Sequence, residues 1–544
     1  MRKHIPLHQG ILKITLALLL VVAGYTASWA QGAINDIPKE IKASDATITK
    51  IGHATLTLRQ NVVLDSVSGR VDTLREVTNI EWDTEPGTAK RRMAEQRAGG
   101  SGFYDHDSDW WLDLHWYTYN YPSVDEEGNY LLLSSMACMP DEDCSYINNV
   151  IIACHVTLTS NNQCPSMYNT AGSAASDVSI LMNHASSGLV FHSAQSDMPY
   201  YNLVILPDYE GFGITKYKPE PYLYHELTSR HVVDATRYGI ALYQSDPQVN
   251  GIRHPFRNGW RSICVGYSQG GAVAMGTQRF IEQNGLSEEL HLAGSVCGAG
   301  PYDLMATILF YVDRDNQGEV LSMPVVMPIV LKSLCDFNPY MKNHHPEDYF
   351  VDRFLETGIM TWLAEKSKTT DEITETWKSQ YASSTYFQSV LTSDGKAKLS
   401  NIMKPEALVY LRALLANNPS FASTSVPLPT HRGLYEDMHL ALESNSLVRG
   451  WQPQHAIFLY HSYEDTVVPE LNRTSASSAF GEWVIKLHAS LGSMQSDHVP
   501  TGIEFLFGTE EFNAIRALSA MPYVQTLEDV RRAKNNYNQS SLDN

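Results

Sequence analysis

A serine hydroxyl becomes a nucleophile when a base takes its proton and the chain holds it where a carbonyl can reach it. Gly266-Tyr267-Ser268-Gln269-Gly270-Gly271 offers such a serine. Arg261-Ser262-Ile263-Cys264-Val265 precedes it and reads as a strand, and Ala272-Val273-Ala274-Met275 follows as the opening of a helix. A turn that joins the two directly strains the serine backbone and leaves no room for side chains at 266 and 270, which explains the glycines. The strain lifts the hydroxyl above the sheet, and the helix N-terminus favours negative charge developing there. Isolated G-x-S-x-G matches are common. The strand before this one and the helix after it set it apart.

After an elbow of this kind the acid and then the histidine follow in the chain. The apolar run Ala456 to Tyr460 leads into His461-Ser462-Tyr463-Glu464-Asp465-Thr466-Val467-Val468-Pro469. Its loop position makes Asp465 the preferred carboxylate. Glu464 is the nearest rival, and Asp303, beyond the strand ending near Gly298, holds the other topological place for an acid. Among 20 histidines, His498 in Ser496-Asp497-His498-Val499-Pro500 has the right position, in a loop after one further strand. His488 falls in a stretch, Ala479 to Ser490, that reads as a surface helix. An oxyanion hole needs two backbone N–H groups. Gln269 supplies one, and Thr157 (or Val156) in His155-Val156-Thr157-Leu158-Thr159 is the expected second. His155 has no companion at metal-ligand spacing, so a metal site is rejected there, and no metal or organic cofactor is needed. Asp313-Arg314-Asp315-Asn316-Gln317-Gly318 resembles half a calcium loop, but Pro324 stands where the bidentate glutamate belongs. It reads as a solvated acidic turn.

The elements that must position these residues follow a rhythm. Strand-length apolar runs at Asn149 to Ala153, Asn202 to Leu206, Ser262 to Gly266, Leu292 to Gly298 and Ala456 to Tyr460 alternate with helical stretches such as Glu226 to Tyr243 and Gly271 to Gln283. That is the pattern of an α/β fold, a mostly parallel sheet with helices on both faces. Leu112 to Tyr121 and Tyr130 to Met136 read as an antiparallel hairpin. The resulting division is 1–30 as signal peptide, 31–110 as a small N-terminal β region with a linker near 86–102, 111–303 as the first part of the core, 304–449 as a helical cap insertion, and 450–544 as the second part of the core. Within the cap, Glu347 to Lys366 and Asp371 to Tyr386 read as helices. Caps of this kind shape a substrate pocket and exclude water.

The formal charge of −20 over 544 residues, with Lys90-Arg91-Arg92 as the tight basic run, argues against nucleic acid as a partner. Arg2, Lys3 and Lys13, the apolar run Ile14 to Ala23 and the small residues of Ser28-Trp29-Ala30 form an export signal with cleavage expected after Ala30. The protein is therefore expected to be secreted or periplasmic, with no stable membrane anchor after cleavage. Of seven cysteines, Cys138 with Cys144, and less strongly Cys154 with Cys164, are candidate pairs. Cys264 and Cys297 read as small core residues.

The sequence resembles the secretory-lipase and prolyl-oligopeptidase-like branch of the α/β-hydrolase superfamily. The marks are His155-Val156-Thr157, Leu206-Pro207-Asp208-Tyr209-Glu210-Gly211-Phe212-Gly213, the Ser268 motif, Gly300-Pro301-Tyr302-Asp303-Leu304 and His461 through Pro469. They occur in family order from about Leu112 to the C-terminus. The resemblance implies an α/β-hydrolase fold, a Ser268–Asp465–His498 triad and hydrolysis of a small-molecule ester. The chain departs from the family at Val156, where glycine is usual. A serine peptidase would use the same triad, but residues 31–109 are too short for the propeller such enzymes often carry. A non-catalytic binding protein would gain nothing from a strained serine.

Overall fold

The computed structural model of the protein describes residues 33–64, 71–99, 109–140, 146–167, 202–249, 254–418, 426–462, 465–487 and 509–540. Ten strands form one sheet: β1 (Thr47–Leu64), β2 (Val71–Trp82), β3 (Asp109–Val124), β4 (Tyr130–Pro140), β5 (Ile147–Cys154), β6 (Asn202–Pro207), β7 (Phe256–Tyr267), β8 (Leu292–Gly298), β9 (Ala456–Tyr460) and β10 (Val484–Lys486). Their order is β10-β9-β8-β7-β5-β6-β4-β3-β1-β2. From β6 to β10 every neighbouring pair is parallel, and from β2 to the β4–β6 pair every one is antiparallel.

The parallel strands are covered on both faces, so their residues alternate between two cores. Ile152, Cys154, Cys264 and Cys297 pack beneath the helices on one face. Ile151, Ala153, Ile263, Val265 and Val296 meet Ala514, Ile515 and Leu518 of the helix Thr509–Ser519 on the other. Cys264 and Cys297 are core residues, as expected. Cys154 and Cys164 are buried free thiols and not a pair, and burial raises both well above the ordinary thiol range. Cys138 is likewise a buried free thiol, and Cys144 lies outside the described residues.

The N-terminal β region continues the sheet, because β1 pairs along β3 from Thr47↔Asn120 to Arg59↔Asp109. The expected linker contains the helix Thr88–Gly99. The long helix His225–Ser245 lies against the antiparallel half. Tyr117, Tyr119 and Tyr121, on one face of β3, donate their hydroxyls to the carbonyls of Gly239 (3.2 Å), Ala235 (2.7 Å) and His231 (3.1 Å) on that helix.

Between β8 and β9 the chain is helical, with Leu304–Asn316, Val326–Phe337, Thr370–Ser383, Pro405–Asn417 and Leu434–Ser444 as its longer elements. Its described strand-like contacts are single bridges such as Leu321↔Ala397 and Phe350↔Met403. The single helix expected over 347–366 is broken into Asp352–Leu355 and Ile359–Glu365 around left-handed Gly358. Asp313 to Asn316 is the end of a helix and not a solvated turn. Asp315 is buried and accepts from Ser400 and Arg412. The described part of the Ala479 to Ser490 stretch, 479–487, is not one helix either: Leu471–Phe480 is helical, Gly481–Trp483 is a 3-10 turn, and the chain then extends into β10. Among the described residues no helix is long and apolar enough to cross a membrane.

Candidate active site

Ser268 occupies the turn between β7 and the helix Gln269–Gln283, at φ 55° and ψ −125°. Backbone in this region costs about 1–3 kcal/mol and persists only where its surroundings enforce it. The surroundings are backbone. A Cβ at Gly266 would lie 2.2 Å from the Gly270 carbonyl oxygen, at Gly270 2.1 Å from that of Cys154, and at Gly271 2.3 Å from that of Gly298. Three glycines thus let the helix start directly on β5, β7 and β8. The Ser268 N–H donates to the Gly298 carbonyl at 2.9 Å, and Gln269 becomes the first residue of the helix.

The loop leaving β9 carries Asp465, which is buried. Its Oδ1 accepts from the N–H groups of Val467 (2.9 Å) and Val468 (2.8 Å). His461 braces the same loop. Its Nε2 lies 2.6 Å from the Val468 carbonyl oxygen, which can only accept, and 3.5 Å from Asp465 Oδ2. Asp465 is close enough to Tyr267, the neighbour of Ser268, to add to the rise that burial imposes on that phenol's pKa. Asp303 serves differently: it caps the helix Leu304–Asn316, accepting from the Ala306 N–H at 3.1 Å. Glu464, His488 and His498 lie outside the described residues, as does the 1–30 segment. The described chain leaves β10 at Leu487, eleven positions before 498.

Ser268, Thr157, Val467 and Val468 line one pocket that opens to solvent. Its other walls are apolar and come largely from the cap, with Leu304, Ile308, Met327, Leu331, Met438 and Leu442 among them. Thr157 Oγ1 is 2.7 Å from the Tyr222 hydroxyl. Val156 does not take up a left-handed backbone, so the glycine usual there is not needed for conformation. Its side chain packs against the cluster of Leu158, Cys164 and Phe212. His155 is buried, stacked on Tyr209, with its ring nitrogens near the carbonyls of Val156 (2.7 Å) and Asp208 (3.1 Å). Burial lowers its pKa to about 4, so it is a neutral structural ring.

The segment Asp208 to Gly213 shapes the loop after β6. Asp208 is fully buried and accepts from Ser134 Oγ and from the Ser166 N–H. Gly213 (φ 58°) packs so tightly there that a Cβ would collide with both Ser134 Oγ and Asp208 Oδ2. Sequence reasoning missed two further groups. Glu220 Oε1 accepts from Gln269 Nε2 at 3.1 Å, and the cap lysine Lys366 lies near it. No motif marks either residue.

No protein-family model matches the chain, and no curated protein sequence does. Among solved structures, a rice cell wall degrading esterase, LipA of Xanthomonas oryzae, superposes with a TM-score of 0.52 at 20% identity, over 74% of this chain and 88% of its own. A protein of Legionella pneumophila described as a hydrolase superposes with a TM-score of 0.53 at 17% identity, over 80% of this chain and 96% of its own. With the strand order and the elbow above, these likenesses define the class: the chain has the α/β-hydrolase fold, with a helical insertion between β8 and β9 and an added β1–β2 hairpin at the sheet edge.

Proposed function

We propose that the protein is an exported serine hydrolase that cleaves carboxylic esters through an acyl-enzyme, with Ser268 as nucleophile. The observation that carries this reading is the left-handed Ser268 at a glycine-packed strand–helix junction, opening into an apolar pocket. A strained serine of this kind has no packing role to justify its cost. His498 takes the Ser268 proton as the oxygen attacks the ester carbonyl. Asp465 holds the imidazole tautomer and stabilises its charge, while the N–H groups of Gln269 and Thr157 receive the oxyanion. The His498 proton then goes to the leaving alcohol, and water releases the acyl group by the same steps. The apolar walls favour a hydrocarbon acyl group in the pocket. The N-terminal signal read in residues 1–30 directs the chain out of the cytoplasm, in keeping with the fold shared with LipA, a rice cell wall degrading esterase.

A fluorophosphonate probe and a series of p-nitrophenyl acyl esters test the reading. Wild type is expected to label and to turn over esters, and Ser268→Ala to do neither. A wild-type protein that cleaves aminoacyl p-nitroanilides and leaves the esters untouched would replace esterase by peptidase. One that does not label would exclude a serine hydrolase.

A further inference from the structure

The cap meets the oxyanion region at Lys366. This residue ends the helix Ile359–Glu365 in a left-handed conformation (φ 51°, ψ 41°). Its carbonyl accepts from the Asn161 N–H at 3.1 Å, and its neighbour Ser367 forms an antiparallel bridge with Ser160. The cap backbone is thereby stitched to the loop that leaves β5 and carries Thr157. The Lys366 side chain is 7% exposed. Its Nζ donates to the Leu363 carbonyl at 3.1 Å, and it shares a small pocket of mixed polar and apolar lining with Glu220, Thr159, Lys332 and Ser333. Glu220 in turn accepts from Gln269 Nε2. Gln269 is 1% exposed and among the described residues its Oε1 has no partner, so the bond to Glu220 is the described polar contact that orients its side chain.

We propose that Lys366 and Glu220 are positioning residues through which the cap sets both backbone donors of the oxyanion hole, Thr157 through the Lys366 backbone and Gln269 through the Glu220 carboxylate, whose charge Lys366 matches from across their shared pocket. The proposal rests on the hydrolase reading above. An oxyanion donor acts over a few tenths of an ångström, and a remote change that misplaces it can cost about a hundredfold in rate. A half-buried carboxylate facing apolar walls is a poor anchor unless its charge is matched. Burial pushes Glu220 up to about 7, opposed first by Lys366, then by the bond from Gln269 and by Lys332, itself paired with Asp336. The nearby Tyr209 and Tyr222 are held neutral by burial. Removing the Lys366 charge raises Glu220 further, so its carboxylate takes up a proton at a higher pH, and a protonated oxygen facing Gln269 Nε2 donates instead of accepting, which an amide oxygen in its place never does.

The test is the kcat–pH profile of wild type, Lys366→Met, Glu220→Leu, Glu220→Gln and the double variant Lys366→Met/Glu220→Gln, with melting temperatures alongside. Lys366→Met and Glu220→Leu are expected to lose about tenfold in kcat with KM within about twofold. The acid limb of the Lys366→Met profile should move to higher pH. Glu220→Gln keeps a neutral acceptor for Gln269, so the double variant should regain most of the lost kcat and bring the limb back. Wild-type kcat in both Lys366→Met and Glu220→Leu would overturn the proposal. So would a loss in Lys366→Met that the double variant leaves unrepaired. Wild-type turnover that disappears in Ser268→Ala keeps the two readings apart: an inactive wild type sinks the hydrolase, whereas active variants sink only the positioning role.

Discussion

Over β5, β7 and β8, the helix Gln269–Gln283 comes so close that an added methyl group would enter a main-chain carbonyl. Over β3, the helix His225–Ser245 stands off by the length of a tyrosine, and three phenol hydroxyls span the gap. Both helices are buried along most of their length. The difference is in what yields when the contact is disturbed. Carbonyls fixed in a parallel sheet cannot move, so the first contact is rigid and places one backbone group to within a few tenths of an ångström. Side chains can re-rotamer, so the second contact is strong in sum and tolerant at each member.

Gly270→Ala probes that rigidity and carries the largest expected effect. With its Cβ 2.1 Å from the Cys154 carbonyl oxygen, it should cost about 3 kcal/mol in urea unfolding and cut ester turnover by more than about a hundredfold. A variant with normal stability and turnover would break the contrast.

The looser side also admits a buried carboxylate. Glu210, on the loop after β6, is 1% exposed and lies 3.3 Å from Lys218 Nζ and 3.9 Å from His231 Nε2. Burial raises it to about 7, against attraction from Lys218 and in the company of Glu126 and Asp125, while burial also lowers His231 to about 4 and keeps it neutral. The folded state therefore holds a proton that the unfolded chain releases near pH 4.5, and stability from this group falls as pH rises from there to about 7. Glu210→Gln should remove that fall. Measured against wild type by chemical denaturation, it should gain about 2 kcal/mol between pH 5 and pH 8. Parallel pH curves for the two proteins would refute it.

Tyr119→Phe sharpens the tolerant side with the smallest effect. It removes the shortest of the three phenol bonds and should cost about 1 kcal/mol with turnover unchanged. A loss of activity larger than the loss of stability would mean that the antiparallel half also tunes the site.

The parts of this arrangement that could be read in the sequence are those where one residue's chemistry settles its neighbour's. Leu292–Gly298 and Ala456–Tyr460 are buried on both faces and stand out as largely apolar runs between helices, with Ser295 as the one polar member. The Ser268 glycines are legible because only glycine tolerates such contacts. The strand Val484–Lys486 was hidden because three residues carry no period, and the Ala479 to Ser490 stretch around it suits a helix equally well. The continuity of β1 with β3 is a long-range pairing that alternation alone does not encode. Lys366 and Glu220 are separated in the chain by β7, β8 and the first part of the cap, and each looks like an ordinary surface charge until the fold brings them to one pocket. Cys154 and Cys164 invited pairing by spacing, yet Cys154 is the last residue of β5, and Cys164 packs with Leu158 and Phe212 instead.

The tyrosines of β3 form a vernier. Alternate residues of an antiparallel strand repeat every ~6.8 Å, and every fourth carbonyl of a helix every ~6.0 Å. Two scales with slightly different graduations coincide at one mark and drift apart on either side. The bond lengths follow that rule, tightest at Tyr119 and longer at Tyr117 and Tyr121. A fourth rung would fall well out of step, so three is near the natural length of such a ladder. Sliding the helix along the strand by about 0.8 Å, the difference between the two repeats, would move the coincidence from Tyr119 to Tyr117 or Tyr121 and lengthen the bond at the far end. The ladder therefore works as a gauge of axial position, fixing where along β3 the helix stops.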